Sequence, residues 1–550
     1  MQYALDNNGK ISNKGTIRVK SGQVRGLPDT LNGRIEFLQN RFSSQQSIPN
    51  IVYEQLVIKN RAKKIVSDAY KNPDGTVRPL ITLDSLIISD SGYFTTRWIG
   101  TNPENIEARA SVLNKADYTG PKYIKLNNEV KEQDLIGNGK FSKLEIDNPN
   151  GVNVKEGGAR VDSLRLTRGT LRNSRENNIK MTDSSLIERQ VGATIAAAPE
   201  FEGKSSIRYH GEGSLLTGNE MPIDSTSLLA LSVETSAGIV LNHDVTVANE
   251  LFIGSSIETE PDSLKRYALT YLGEKNPQFG NSEAEIKGTM RRKNVAVRDT
   301  VVFNNPYTFV YFQNELNKNG THSISFRVRP SAFSPLPLGD ANKVKRHFSI
   351  QSYDKSYNLI KSDVVARVGY GWRFSPDQAE RDETLLLPLE QLVLQRYLDN
   401  TWNEVHSSQI ADSRESVGWA FSYADDVTLY GDFSIGMPGG AHLLMAARVF
   451  MEGPWRNGSM AADLLSRNLI TTTPPDVYPY NLDPKREKIS VVSIPDSVVD
   501  WIVLEFRTQL IGGRQYYKTC FLKQDGTISD INGFNDINLN SVGMPRGNYY

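Results

Sequence analysis

The sequence predicts an all-β protein: a parallel β-solenoid (β-helix) followed by β-sandwich-like modules. Three observations predict it. Short apolar–polar alternations are broken by Gly, Asn and Asp over the first half. Similar strands recur at a nearly fixed spacing, with Leu56, Leu144 and Leu231 lying 88 and 87 residues apart. Beyond about residue 285 the strands lengthen and gain aromatics. Period-two alternation between turn residues is the mark of β-structure, and a fixed long period is the mark of stacked units.

The solenoid is assigned to residues 1–285, with about three 87-residue repeats. The opening "NGKISNKGTIRV" has the texture of an early rung. "YEQLVIKNRAKKIV" precedes "LITLDSLIISDSGYFTT", "FSKLEIDNPNGVNV" precedes "ARVDSLRLTRGTL", and "LLALSVETSAGIVL" precedes "DVTVANELFIGSSI". Shorter strands at Arg34, Lys122 and Ser206 come before each pair. One Leu, Ile or Val per rung would stack on its counterpart, each burial contributing roughly 1.5–3 kcal/mol. Gly and Asn supply the bends. Immunoglobulin-like modules of similar period compete with this reading, but no Cys–Trp–Cys pattern supports them.

Residues 286–440 are assigned to a β-sandwich module. Six runs alternate well, from "NVAVRDTVVFNNPYTFVYFQ" to "VTLYGDFSIG", joined by loops rich in Gly, Asn, Asp and Pro. "LPLEQLVLQRYL" is read as strand, because Asp399-Asn400 makes a turn and its neighbours alternate. Residues 441–550 form a C-terminal β module, truncated or completed by a partner strand. It has a tight Asp-Gly turn at "QDGT" and a Pro-rich loop from Ser466 to Lys485.

The chain has 550 residues, 63 basic and 63 acidic, so its formal net charge is zero. Such balance removes the long-range attraction used by general nucleic-acid or anionic-membrane binders. No apolar run reaches the length of a membrane span. The N-terminus is polar from the start and reads as a mature end, an artificial end or a cut through a longer protein. The single cysteine, Cys520, forms no intrachain disulfide and reads as a small core residue rather than a nucleophile.

The motifs with chemistry are sparse. The six histidines, His210, His243, His322, His347, His406 and His442, show no HxxxH or HxH spacing. "GNGK" at Gly137 lacks the frame of a phosphate loop. No GxSxG or Cys–His constellation occurs. Around Glu145, Asp147, Glu156 and Asp162 the acids alternate with Lys143, Lys155, Arg160 and Arg165, which reads as a solvated, charge-mixed face. Ca²⁺ is the one cofactor weighed, through Asp425, Asp426, Asp525 and Asp530, against the competing role of turn-forming Asp and Asn.

Stretches in all three regions carry a resemblance that covers most of the chain. "VVDWIVLEFR", "FLKQDGTISDING" and "GMPRGNYY" are similar to the C-terminal module of large secreted surface proteins of Bacteroidota, and "RVFMEGPWRNGSMAADL" to the segment before it. "LEIDNPNGVNV…VDSLRLTRGTL" resembles their solenoid repeats, and "KRHFSI", "LQRYLDNTWNEV" and "GDFSIGMPG" one of their sandwich modules. The resemblance implies export by the type IX secretion system and display at the cell surface as an adhesin, gliding or appendage protein. The family's strand after "GNYY" and its sorting domain are absent here, so the chain reads as part of a longer polypeptide or as completed by a partner strand. Asp-Ser/Thr-aliphatic tripeptides look like the O-glycosylation signal of these bacteria, which would place sugars on Ser85, Ser163, Ser263 and Thr300; turn-plus-strand starts explain them equally.

The expected function is therefore non-catalytic: a structural and adhesive segment, outside the cell, building or decorating a filament, hook or gliding adhesin. Expected partners are further copies of the chain, other cell-surface proteins, and host, prey or surface glycans. The alternatives are a carbohydrate-active β-helix enzyme, signalled by two carboxylates in a groove, and a lectin-like module with exposed aromatics near Trp402 or Trp455.

Overall fold

The computed structural model describes the chain apart from residues 1–14, 21–27, 40–44, 67–70, 72, 74–75, 90–91, 97–104, 225–226, 263, 282, 331–342, 375–382, 384–391, 399–400, 406–407, 412–418, 437–443, 485, 487–488, 492, 514, 532–536 and 543–548. Two compact units result: Met1–Val295 with Val301–Pro306 and His322–Arg327, and the remainder through Tyr550.

The first unit is a parallel β-solenoid of about twelve coils. Strands pair in parallel with strands of the neighbouring coils, so apolar side chains form columns. One column runs Leu80–Ile106–Ile124–Leu144–Leu164–Ile187–Ile207–Leu231–Leu251, all at most 3% exposed. A second runs Ile17–Ile35–Leu56–Leu86–Val112–Leu135–Val154. A third is Phe94–Tyr118–Phe141–Val161–Met181–Phe201. Stacking at the strand spacing of about 4.8 Å puts each residue in contact with its column neighbours and excludes water from the interior.

The register revises the meaning of the long spacing. Successive members of the first column are 18 to 26 residues apart, so a coil is the true unit. The 87 residues from Leu144 to Leu231 span four coils. Leu56 belongs to a different column from Leu144, so those two leucines occupy different faces of the winding.

The corners are built from Gly and buried amides. Gly158 sits at φ +89°, and a Cβ there would lie 1.9 Å from the Asn178 carbonyl oxygen. Gly169, at φ +77°, meets the Asn148 carbonyl in the same way. Only glycine accepts both the positive φ and the close approach of the next coil. Gln133, 2% exposed, donates to the carbonyls of Ala108 and Ala110, both at 2.7 Å, and Asn148 donates to Gln133 at 3.0 Å. These amides satisfy backbone carbonyls that leave the ladder at the bends.

In the second unit two of the antiparallel sheets pack together. One pairs Phe309–Tyr311, Val365–Arg373, Trp419–Thr428 and Ser408–Ala411. The other pairs Leu359–Ile360, Lys343–Tyr353, Tyr430–Gly436, Val393–Leu398 and Thr401–Glu404. Val393–Leu398 is a strand, as its alternation predicts. The sheets face each other across Tyr370, whose ring centroid lies 5.2 Å from that of Phe348 and 5.4 Å from that of Phe433. Arg346, 1% exposed, donates to Glu383 at 2.7 and 3.1 Å, and Glu383 also accepts the Arg373 amide at 2.8 Å. That carboxylate thereby joins a strand of each sheet.

Further along, Val498–Arg507 pairs antiparallel with Gln515–Lys523, which turns at Asp525-Gly526 into Ile528–Ser529. Cys520 is fully buried against Met460, Leu522 and Ile528. Burial pushes its thiol up to about 12, so it is a core residue without thiolate character. Among the described residues no helix is long and apolar enough to cross a membrane.

Candidate functional site

The outward face beside the first aliphatic column carries the solenoid's densest chemistry. In a strand, the residue after an inward aliphatic points outward. Those residues form a ladder of alternating sign in register: Glu107–Lys125–Glu145–Arg165–Glu188–Arg208. Each charge therefore meets the opposite charge one coil away. Arg165 Nε donates to Glu188 at 2.8 Å and its Nη1 lies 3.8 Å from Glu145. Lys125 lies 3.7 Å from Glu145 and 2.6 Å from Asp147. Arg168 clasps Asp147 and Glu129.

Tyr123 lies against the middle of the ladder. Its hydroxyl donates to Glu188 at 3.1 Å and shares a hydrogen bond with Ser163 at 3.0 Å, and the Arg165 guanidinium sits 4.2 Å from its ring centroid. Glu145 and Asp147 are consequently only 4% and 6% exposed. The face is charge-mixed but, at these two acids, not solvated: partner side chains from neighbouring coils cover them. Burial would raise the Asp147 carboxyl, but hydrogen bonds from Arg168 and Lys125 hold it below the usual range.

The ladder ends at Arg208, whose partner one coil on is the neutral Ser232. Arg208 turns instead to Glu234, at 2.6 Å, and Ser232 Oγ donates to the same carboxylate at 2.7 Å. Beyond this point the sheet tapers. Leu228–Thr235 has eight residues, Glu250–Ile253 four, and Gln278–Phe279 two. Outward side chains lose their neighbours on the next coil, and a groove of about 440 Å³ opens. Its lining includes Ser206, Ala230, Ser232, Phe252, Lys275 and Gln278, with Glu234 and Glu250 as its carboxylates. The Arg208 hydrogen bond holds the Glu234 carboxyl below its ordinary range, so it is an ionised acceptor rather than a proton donor. Sequence reasoning missed Tyr123, Glu188, Arg208 and the groove.

The other candidates are dispersed. Asp425 forms an ion pair with Arg367 at 2.6 Å, and Asp426 sits at positive φ within the strand Trp419–Thr428, where the register with Val365–Arg373 shifts. Asp525 accepts from the Thr527 amide at 3.0 Å in its turn, and Asp530, 4% exposed, pairs with Lys518 at 3.0 Å. Among the described residues no three acidic, His or Cys side chains converge on a common point. The Ser85 hydroxyl is buried, and Ser163 is bonded to Tyr123. Thr300 is exposed, and Ser263 lies outside the described residues. Trp402 is only 9% exposed, under Lys343 at 3.6 Å, whereas Trp455 is 43% exposed against Phe450. An exposed aromatic platform therefore exists at Trp455 and not at Trp402.

These features define the class of the molecule as a β-solenoid joined to antiparallel β-sheet modules. Compared with family models, curated proteins and solved structures, the chain finds no match.

Proposed function

We propose that this chain is a non-catalytic, structural and adhesive segment of a long extracellular surface protein, with the solenoid as a stiff spacer for the sheet modules. The observation that carries this reading is the ladder. Its buried carboxylates Glu145, Asp147 and Glu188 are each held by a cation from another coil. Charges committed to coil-to-coil pairing are structural, since a hydrolytic site needs a carboxyl that keeps its proton beside one that does not. A solenoid whose coils are paired one on the next transmits load along its length.

Export through a type IX pathway, assembly into a filament, hook or gliding adhesin, and self-association complete the proposal. The test is electron microscopy of the native material together with protease shaving of intact cells of the source organism. Filaments or long surface projections, lost on shaving, are the expected result; a chain that resists shaving and stays with the cytoplasmic fraction would refute it. A second reading, a carbohydrate-active enzyme, is favoured by one observation: Glu234 and Glu250 line the same groove.

A further inference from the structure

We propose that the groove where the ladder tapers is a binding site for an uncharged glycan. Its shape has a structural cause, the shortening of the paired strands from eight residues to four to two. Its volume of about 440 Å³ lies in the range of small-molecule sites.

The lining selects the ligand class. The floor is made of small outward residues, Ser206, Ala230 and Ser232, in register on adjacent coils with Arg208. One wall holds Phe252, whose ring packs so closely on Gly254 and Gly280 that a Cβ would fall 3.2 and 2.8 Å from it. The two glycines thus seat a ring that is half-buried and turned to the groove. Asn249, Asn276, Gln278, Ser206 and Ser232 complete the lining; of these the Asn276 carboxamide oxygen already accepts from Arg292 and the Val302 amide, and the Ser232 hydroxyl donates to Glu234. Amides and hydroxyls both donate and accept, as sugar hydroxyls do. An aromatic face complements the apolar C–H face of a pyranose.

Charge excludes other classes. Arg208 is committed to Glu234 and Glu188, and Lys275 is balanced by Glu250, so the lining is neutral overall. A phosphate or polyanion would meet two carboxylates. An extended peptide would need a free strand edge, but the backbone groups of the floor strands are bonded to neighbouring coils. A hydroxyl-rich, uncharged chain with flat apolar faces satisfies all of these conditions. This ligand class extends the adhesive reading and rests on it only for the absence of turnover.

The experiment uses the full chain on a microarray of neutral oligosaccharides, followed by titration calorimetry with the best binder and chromatography of that sugar after long incubation. Two variants accompany it: Phe252→Ala, which removes the stacking face, and Ala230→Tyr, which fills the floor from an outward position. Saturable binding to at least one neutral glycan, weakened about tenfold or more by each variant while circular dichroism shows the variants still folded at the assay temperature, is expected. No neutral glycan bound, or binding indifferent to both variants, overturns the site and leaves the spacer reading standing. Recovery of a shortened sugar, abolished by the same variants, would uphold the site and overturn the non-catalytic reading.

Discussion

Glu36 offers the sharpest energetic test of the charged solenoid face. It lies on Thr30–Phe37 and is only 3% exposed. Arg34 donates to it at 2.8 Å, Lys59 at 3.0 Å and Arg18 at 3.1 Å. Burial alone would raise its carboxyl, but these three cations draw it from 4.5 to about 2. At about 1.4 kcal/mol per pH unit the gap is worth roughly 3 kcal/mol. Because the cations themselves are 35–63% exposed, water and salt screen them, and about 1–2 kcal/mol is expected.

The sign follows from linkage. A carboxyl depressed in the folded state stabilises fully above its unfolded value and loses that contribution as pH falls from 4.5 towards 2. Glu36→Gln should therefore destabilise the first coils by about 1–2 kcal/mol at neutral pH and low salt. The deficit should shrink steadily below pH 4.5. Hydrogen exchange of amides in Thr30–Phe37 and Val52–Ile58, compared at several pH values, measures it locally. A variant equal to the parent at neutral pH, or a deficit independent of pH, would show that the three cations do not stabilise the Glu36 carboxylate.

Three further outcomes are expected. Leu164→Ala, in the middle of the first column and fully buried, should cost about 2–5 kcal/mol in denaturant unfolding, by lost transfer energy and a cavity between two coils. Glu383→Gln should cost about 3–5 kcal/mol in the second unit, because it breaks the buried Arg346–Glu383 ion pair; differential scanning calorimetry reads this as a shift confined to that unit's transition. Cys520 should resist a thiol-specific reagent at neutral pH until denaturant is added, since it is buried and its thiol is pushed up to about 12; fast labelling of the native chain would contradict the packing.

The alternation and the turn residues made the solenoid legible, because inward Leu, Ile and Val must recur on every coil and corners must bend. The coil length was hidden. Coils vary from 18 to 26 residues along the first column, so only their four-coil sum between Leu144 and Leu231 looked regular. The ladder was present as a pattern: Lys125, Glu145, Arg165, Glu188 and Arg208 each directly follow an inward aliphatic. Reading it required the register, since sequence neighbours of Glu145 do not show that Arg165 and Lys125 cover it. The groove was illegible for a different reason. It arises where the paired strand Glu250–Ile253 stops short of Glu234, and a shortened neighbour leaves no local motif. Trp402 illustrates the same limit, because its burial depends on Lys343, distant in sequence.

The first unit is one continuous winding whose outward ladder rises one strand spacing per coil. Spin labels on Glu107→Cys and Ser232→Cys test it by electron–electron distance measurement, with buried Cys520 left unlabelled. The two positions are six rungs apart in the ladder register. At about 4.8 Å per rung a continuous winding gives a single narrow distribution near 29 Å, broadened only by the label arms. A wide distribution, or a mean well beyond about 40 Å as separately cored globules would give, would contradict it.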